Sequence, residues 1–244
     1  MRGLNKVLLG TATAALALTA LGAPVAAADD TGTLAIVQGH PGIKVDICIG
    51  NKEQRSGKAY GSKYEKDVIG TGSKLLRFFK YNPNKTCGGT LIAKKTLNIT
   101  PGWDKTVVLT KFNPKIVMFG NASPFYMGEI PPRGAPFGPG SYFAWRHAAE
   151  FPANFLYTVW NPNPEIPVGP VANPVWSKGE EVYSASGTDS VWRVRATKPE
   201  QAATVAQRTV LFKANRRYEW ILIGSNAGNA RFVLLNRGIS QASP

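Results

Sequence analysis

The chain has 244 residues, with 29 Lys and Arg against 15 Asp and Glu, a formal net charge of +14, two His and two Cys. Two cysteines without a nearby His cluster cannot supply the four ligands of a structural zinc site. No stretch beyond the N-terminal segment is long and apolar enough to span a bilayer as a helix.

In chain order, Arg2 and Lys6 precede the apolar, alanine-rich stretch Val7 to Leu21, and small residues follow at Ala26, Ala27 and Ala28. A positive head, a short apolar region and an A-x-A-like site predict a cleaved secretory signal peptide over residues 1–28. The apolar run of about 15 residues is shorter than the roughly 20 that a spanning helix needs. Loss of Arg2 and Lys6 leaves 27 Lys and Arg against 15 Asp and Glu, a balance that favours anionic partners. In an oxidising compartment Cys48 and Cys87 are expected to form one disulfide. It closes a loop of 40 residues and contributes about 4 kcal/mol in the chain-entropy model.

From Leu34 the pattern is that of strands. Ile43, Val45, Ile47 and Ile49 alternate with Lys44, Asp46, Cys48 and Gly50, which half-buries one face and puts Cys48 on the other. Further strands are predicted at Leu75 to Phe79, Thr90 to Ile99, Thr106 to Thr110 and Ile116 to Phe119, separated by turn-forming Asn-Pro and Pro-Gly steps. Asn121 to Gly140 is dense in Pro and Gly, so neither a helix nor a central strand runs through it. It reads as an interdomain linker, and a second Pro-rich loop spans Asn161 to Pro174. Strand patterning resumes at Tyr142 to Arg146, Phe155 to Trp160, Val191 to Ala196, Val205 to Lys213, Tyr218 to Gly224 and Arg231 to Leu235. Glu200 to Val205 could pass for helix but is too short to hold one alone.

The two halves echo each other. Leu75 to Phe79 aligns with Val191 to Arg195, Lys95 to Leu97 with Arg208 to Val210, Val107 to Leu109 with Trp220 to Leu222, and Ile116 to Phe119 with Phe232 to Leu235, in one order at nearly constant spacing. Short strands so arranged predict an all-β chain of two tandem immunoglobulin-like antiparallel β-sandwich domains. The predicted boundaries are 29–120 for the first domain, 121–140 for the linker and 141–244 for the second.

The stretch Ile36 to Ile47, with Val37, Pro41, Val45, Asp46 and Ile47 in matching order, resembles the opening strand of the domain-of-unknown-function 4397 family, V-H-A-S-P-D-A-P-x-V-D-V-Y. Gln38 replaces the usual His. In the second half Arg146-His147-Ala148-Ala149 stands in place of V-H-A-S, and Glu150 where Pro is expected. The resemblance implies an exported immunoglobulin-like β-sandwich, often in tandem copies, with no assigned activity, cofactor or catalytic residue.

The residues themselves carry no catalytic signature. His40 and His147 are expected to bond turn backbone rather than act as bases, and there is no G-x-S-x-G elbow or H-E-x-x-H metal helix. Asp46, Asp104 and Glu219 would form a glycosidase-like carboxylate pair only through the accident of folding. Neither metal nor cofactor is expected. Arg208, Lys213, Arg216, Arg217 and Arg231 fall near Tyr218 and Trp220, and cations interleaved with aromatics suit an acidic polymer or a sugar. The competing view places Trp220 in the core and Arg216 and Arg217 in a hairpin turn. Lys94, Lys95, Lys105, Lys111 and Lys115 form a comparable set in the first half.

The expectation is a non-catalytic binding module, secreted or cell-wall-associated, that recognises acidic wall polymers or another anionic extracellular ligand, without specific nucleic-acid recognition. Two alternatives are a module for adhesion or for contact with surface proteins, through the Pro-rich aromatic segment or exposed tryptophans, and a hydrolase with an unrecognised site.

Overall fold

A computed structural model describes residues 31–113, 115–120, 141–159, 166–167, 181–184, 190–199, 203–213 and 216–239. Residues 1–28, expected to be a signal peptide, residues 121–140, expected to be a linker, and all of 161–174 except residues 166 and 167 lie outside this set. The first half contains β1 (Thr31–Gln38), β2 (Val45–Ile49), β3 (Lys52–Lys58), β4 (Lys63–Gly70), β5 (Gly72–Lys80), β6 (Leu91–Ile99), β7 (Asp104–Leu109) and β8 (Ile116–Gly120). The second contains β9 (Ser141–His147), β10 (Asn154–Val159), β11 (Ile166–Pro167), β12 (Glu181–Ser184), β13 (Ser190–Thr197), β14 (Thr204–Phe212), β15 (Arg216–Ile223) and β16 (Arg231–Ile239), with one 3-10 turn at Ala227–Asn229.

Four sheets result, in the orders β3-β2-β5-β6 and β4-β1-β7-β8, then β12-β9-β15-β16 and β11-β10-β13-β14. Replacing each strand of the first half by the strand eight places later reproduces the second half. The chain is not purely antiparallel: β1 pairs with β7, and β9 with β15, in parallel. Such pairs need a long crossover, and here the intervening strands supply it by passing through the other sheet of the same half. The hairpin turn read at Arg216 and Arg217 is instead strand, the start of β15. The sequence pattern also passes over the edge strands β3 and β4; β3 is polar throughout, whereas β4 sends Tyr64 and Ile69 into the core.

Alternation decides what each sheet buries. Val45 and Ile47 of β2, Leu76 and Phe78 of β5, and Ala93, Leu97 and Ile99 of β6 meet Leu34 and Ile36 of β1 and Val107 and Leu109 of β7 in one core. Trp145, Phe155, Trp192, Val194, Phe212, Trp220 and Phe232 fill the corresponding core of the second half, where the Trp145 and Trp220 rings stack with centroids 6.1 Å apart. A third apolar layer joins the halves: Ala35 and Val37 of β1, Val108 of β7 and Val117 and Phe119 of β8 pack against Ile221 and Ile223 of β15 and Val233 and Leu235 of β16. The sheets thus form four stacked layers, and the middle two are covered on both faces. This explains the unbroken apolar runs Leu34 to Val37, Val107 to Leu109 and Trp220 to Ile223.

The repeat alignment needs one correction. The β5–β6 ladder breaks register between Phe78 and Phe79, and the β13–β14 ladder between Ala196 and Thr197. Matching these breaks sets Phe78 against Ala196 and Leu76 against Val194, two residues away from the pairing read from sequence. Period-two alternation looks the same after a slip of two, so side-chain pattern alone could not choose.

A polar contact lies inside the joining layer. Thr106 Oγ1 donates to Glu219 Oε2 at 2.6 Å, and Arg146 Nε donates to Glu219 Oε1 at 3.3 Å. Arg146 also donates from Nη2 to the Gly120 carbonyl at 3.2 Å, with its guanidinium 5.7 Å from the centre of the Phe119 ring. Arg146 and Glu219 are 2% and 1% exposed, so removing one partner strands a charge in the dry layer. Arg146→Met is expected to cost about 3 to 5 kcal/mol, and pairing it with Glu219→Gln to recover most of that loss. Urea titration of the two variants checks this; a loss below about 1 kcal/mol for the single change would mean that Glu219 needs no cation.

Cys48 and Cys87 form the expected disulfide, with Cα atoms 6.0 Å apart. Cys48 faces away from the core, so the bridge pins the β5–β6 loop across the outer face of its sheet. Cys48→Ala with Cys87→Ala is expected to lower stability by up to about 4 kcal/mol, read as a shift in the urea midpoint.

Candidate functional site

The basic residues picked out in the second half do not gather into one patch. Arg231 opens β16 and lies over the ring of Tyr60, 4.1 Å from its centre, while Nη1 donates to the Tyr60 carbonyl at 3.3 Å. Tyr60 belongs to the β3–β4 turn of the first half, and its hydroxyl donates to the Asn229 carbonyl at 2.6 Å. Burial pushes the Tyr60 phenol up to about 12, against the lowering pull of Arg231, so it stays a donor. Gly61 makes room for this clasp: its φ is +82°, and a Cβ there would sit 3.0 Å from Arg231 Cδ. Arg208, on β14, donates to the Phe232 carbonyl at 3.3 Å across the edge of its sandwich. Lys213 is exposed, and its backbone N–H donates to the Tyr218 hydroxyl at 2.9 Å. The side chains of Arg216 and Arg217 lie outside the described set. Trp220 is fully buried, a core residue rather than a stacking platform.

Most of the charge lies elsewhere. Residues 31–120 hold 15 Lys and Arg against 5 Asp and Glu, whereas 141–244 hold 11 against 7. The five lysines singled out in the first half are dispersed. Lys94 and Lys95 are consecutive on β6 and so point to opposite faces. Lys105 lies on β7, Lys111 Nζ sits 5.1 Å from the centre of the Phe112 ring, and Lys115 Nζ donates to the Ile92 carbonyl at 3.3 Å.

One of these lysines has a neighbour that the sequence does not reveal. In the outer sheet of the first half, β5 and β6 pair with Arg77 directly opposite Lys94 and Leu75 opposite Thr96. Arg77 alternates with the buried Leu76 and Phe78, and Lys94 with Ala93, so both cations stand on the outer face. Neither β5 nor β6 contains an Asp or Glu. Like charges directly opposite in a ladder are destabilising. Two carboxylates occur in the adjoining strands: Asp46 Oδ1 accepts from Ser56 Oγ and the Gly57 N–H at 2.8 and 2.9 Å, and Glu53 lies in the same row with Cys48 between it and Arg77, two strands from Arg77 and three from Lys94.

The face around this pair is fixed. Arg77 donates to the Gly50 carbonyl and, at 3.2 Å, to Asn51 Oδ1, with its guanidinium 5.3 Å from the Phe79 ring centre. Gly50, at φ +59°, forms the tight β2–β3 turn that presents that carbonyl. The disulfide-pinned loop brings the exposed Lys85 and Tyr81, and exposed Leu75, Thr96 and Asn98 complete a mixed apolar and polar strip. Among the described residues, no group of three His, Cys, Asp or Glu is placed to hold a metal ion.

The two positions where the opening strands depart from the family pattern have structural jobs. Gln38 Nε2 donates to the His40 and Ile43 carbonyls at 3.1 and 3.0 Å, and its Oε1 accepts from the His40 N–H at 2.8 Å. It therefore clamps the β1–β2 turn, where His40 Nδ1 lies 2.8 Å from the Pro41 carbonyl oxygen. Glu150 Oε1 accepts from the N–H groups of Lys111 and Phe112 at 2.8 and 2.7 Å, a second clasp between the halves.

His147 differs from His40. It is fully buried, with its ring 5.5 Å from that of Phe155 and 6.5 Å from that of Phe151. Burial pulls its imidazole down from 6.5 to about 4, against the raising effect of backbone groups at His147 and Ala149. The unfolded chain therefore takes up this proton first. Stability is expected to be full above pH 6.5 and to fall by about 3 kcal/mol as the pH drops towards 4. Urea midpoints from pH 8 to 4.5 for the natural chain and His147→Phe test this, since a slope unchanged by the substitution assigns the effect to other groups.

No protein-family model matches the chain, and no curated protein matches it. Solved structures that match in shape include a family 41 carbohydrate-binding module from streptococcal virulence factors, described for alpha-glucan recognition, and the CBMbc module of family 26 from Eubacterium rectale in complex with maltoheptaose. Each is 9% identical, with a TM-score of 0.26, over 83% of this chain and 96% of the other. A likeness of that size carries no argument about the ligand of this chain.

Proposed function

We propose that the chain is an exported, non-catalytic binding module, a tandem pair of immunoglobulin-like β-sandwiches of the domain-of-unknown-function 4397 type, that holds a polyanion on the outer sheet of its first sandwich. The observation that carries this reading is the placement of Arg77 opposite Lys94 on two strands without a carboxylate. A phosphate- or carboxylate-bearing polymer laid along β5 and β6 relieves that repulsion. The exposed Lys85 adds a cation in the loop that the disulfide ties to this sheet. The identical strand order of the two halves supports the tandem reading. Arg231 is committed to the clasp with Tyr60 between the halves.

Immobilised long-chain polyphosphate provides the test, with the mature chain eluted in a salt gradient. Basic residues at an anionic surface contribute about 1 kcal/mol each, so Arg77→Gln with Lys94→Gln is expected to weaken retention roughly 30-fold. Retention of the natural chain is expected to fall steeply with salt, because exposed charges are screened. Unchanged elution of the double variant, with loss instead in Arg208→Gln with Arg216→Gln and Arg217→Gln, moves the site to the second half. Failure of the natural chain to be retained at low salt rejects polyanion binding.

A further inference from the structure

We infer that the polymer held on the outer sheet of the first half is an acidic polysaccharide, with Tyr81 as the surface on which a sugar ring rests. This rests on the polyanion reading above and names the class of polymer. Tyr81 directly follows β5, and its N–H donates to the Lys44 carbonyl at 2.9 Å, which carries the β2–β5 ladder one step past the pairing of Val45 with Lys80. By alternation, Tyr81 and the exposed Lys44 stand on the same outer face as Arg77. The Tyr81 ring packs on Gly57 of β3, where a Cβ would come within 3.4 Å of its Cε2, yet 38% of the residue stays exposed. Asp46 and Phe79, the rung between, are 0% and 7% exposed, because the loop tied down through Cys87 lies across them. Among the described residues, Tyr81 is therefore the exposed aromatic side chain that this face offers.

The loop beside Tyr81 is built to hold its shape. Asn82 accepts from the Asn84 N–H on Oδ1 at 3.0 Å and from the Lys85 N–H on its carbonyl at 3.1 Å. Gly89 lets the chain return close to β5, since a Cβ there would lie 2.6 Å from the Lys80 carbonyl oxygen. Asn84 and Thr86 are thus presented, exposed, on a loop ordered before any ligand arrives, which lowers the entropic cost of binding. A polymer of phosphate alone makes no use of an aromatic ring or of the exposed Leu75. An acidic polysaccharide uses every part: its carboxylates suit Arg77 and Lys94, its hydroxyls suit Asn84 and Thr86, and its C–H faces suit Tyr81, whose rigid ring offers a large contact at little conformational cost. Arg77 and Tyr81 are four residues apart, about 13 Å along a strand, so one chain of several sugars reaches both. Single-stranded nucleic acid stacks successive bases on successive aromatic side chains, and a single exposed ring does not supply that.

Retention of the mature chain on immobilised polygalacturonate, long-chain polyphosphate and single-stranded polythymidylate tests the inference. Tyr81→Ala is expected to weaken retention on polygalacturonate about tenfold while changing that on polyphosphate by less than about twofold. Tyr81→Phe, which keeps the ring, is expected to behave as the natural chain. Nitration of Tyr81 by tetranitromethane, followed by mass spectrometry, reads the same contact without a variant: polygalacturonate is expected to slow it and polyphosphate to leave it unchanged. Retention on polyphosphate but not on polygalacturonate overturns the polysaccharide and leaves the polyanion reading intact. So does a Tyr81→Ala chain that is retained on polygalacturonate as the natural chain is, or nitration that polygalacturonate does not slow. A Tyr81-dependent retention greater on polythymidylate than on polygalacturonate reassigns the strip to nucleic acid and also overturns the inference. Absence of retention on all three removes the polyanion reading and the polysaccharide with it.

Discussion

The Glu219 carboxylate, held between Thr106 of one half and Arg146 of its own, is the contact on which the arrangement of the layers depends. Apolar packing of Val37, Val108, Ile221 and Ile223 supplies the larger share of the attraction, on the order of 2 kcal/mol for each fully buried side chain. That attraction is indifferent to small slides of one sheet over the other. A buried carboxylate with a hydroxyl on one oxygen and a guanidinium on the other is not, because any slide leaves a polar group dry and unpaired. The rim clasps of Glu150 on the Lys111 and Phe112 amides, and of Tyr60 with Asn229 and Arg231, restrict rotation about that point.

Once the inner sheets are committed to each other, only the outer sheets face solvent broadly. Their chemistry differs accordingly. The central inner strands β1 and β7 send apolar side chains to both faces, whereas β6 alternates, with Ala93, Leu97 and Ile99 inward and Lys94, Thr96 and Asn98 outward. Arg146 is drawn into the interface, whereas Arg77 and Lys94 stay on the outer β5–β6 hairpin, whose two strands carry no carboxylate.

β2 was legible in the sequence through the period-two pattern of Ile43 to Ile49, although Asp46 and Cys48 on its other face are buried as well. So was the covalent link between Cys48 and Cys87, the two cysteines of the chain. Edge strands β3 and β4 were not: β3 is polar on both sides and carries no pattern, and in β4 the inward Tyr64 and Ile69 stand five residues apart, off a period of two. The packing of the halves was present in the unbroken runs of β1, β7 and β15, yet an apolar run alone does not say which surface covers it. The site was the least legible part. Nearness in sequence drew attention to Arg208, Lys213, Arg216, Arg217 and Arg231, whereas pairing across a ladder brings Arg77 to Lys94. Register is a property of two strands and cannot be read from either one.

The parallel pairing of β1 with β7 also bears on how the chain reaches this structure. β1 is made first, but its parallel partner comes last but one in its half, so the inner sheet cannot close until nearly the whole half exists. Ala35 and Val37 wait longer, for Ile221 and Ile223 near the end of the chain. Contacts this distant in sequence make folding slow. Until they form, the apolar inner face of the first half stands open, and the interval of greatest danger from self-association falls late in folding.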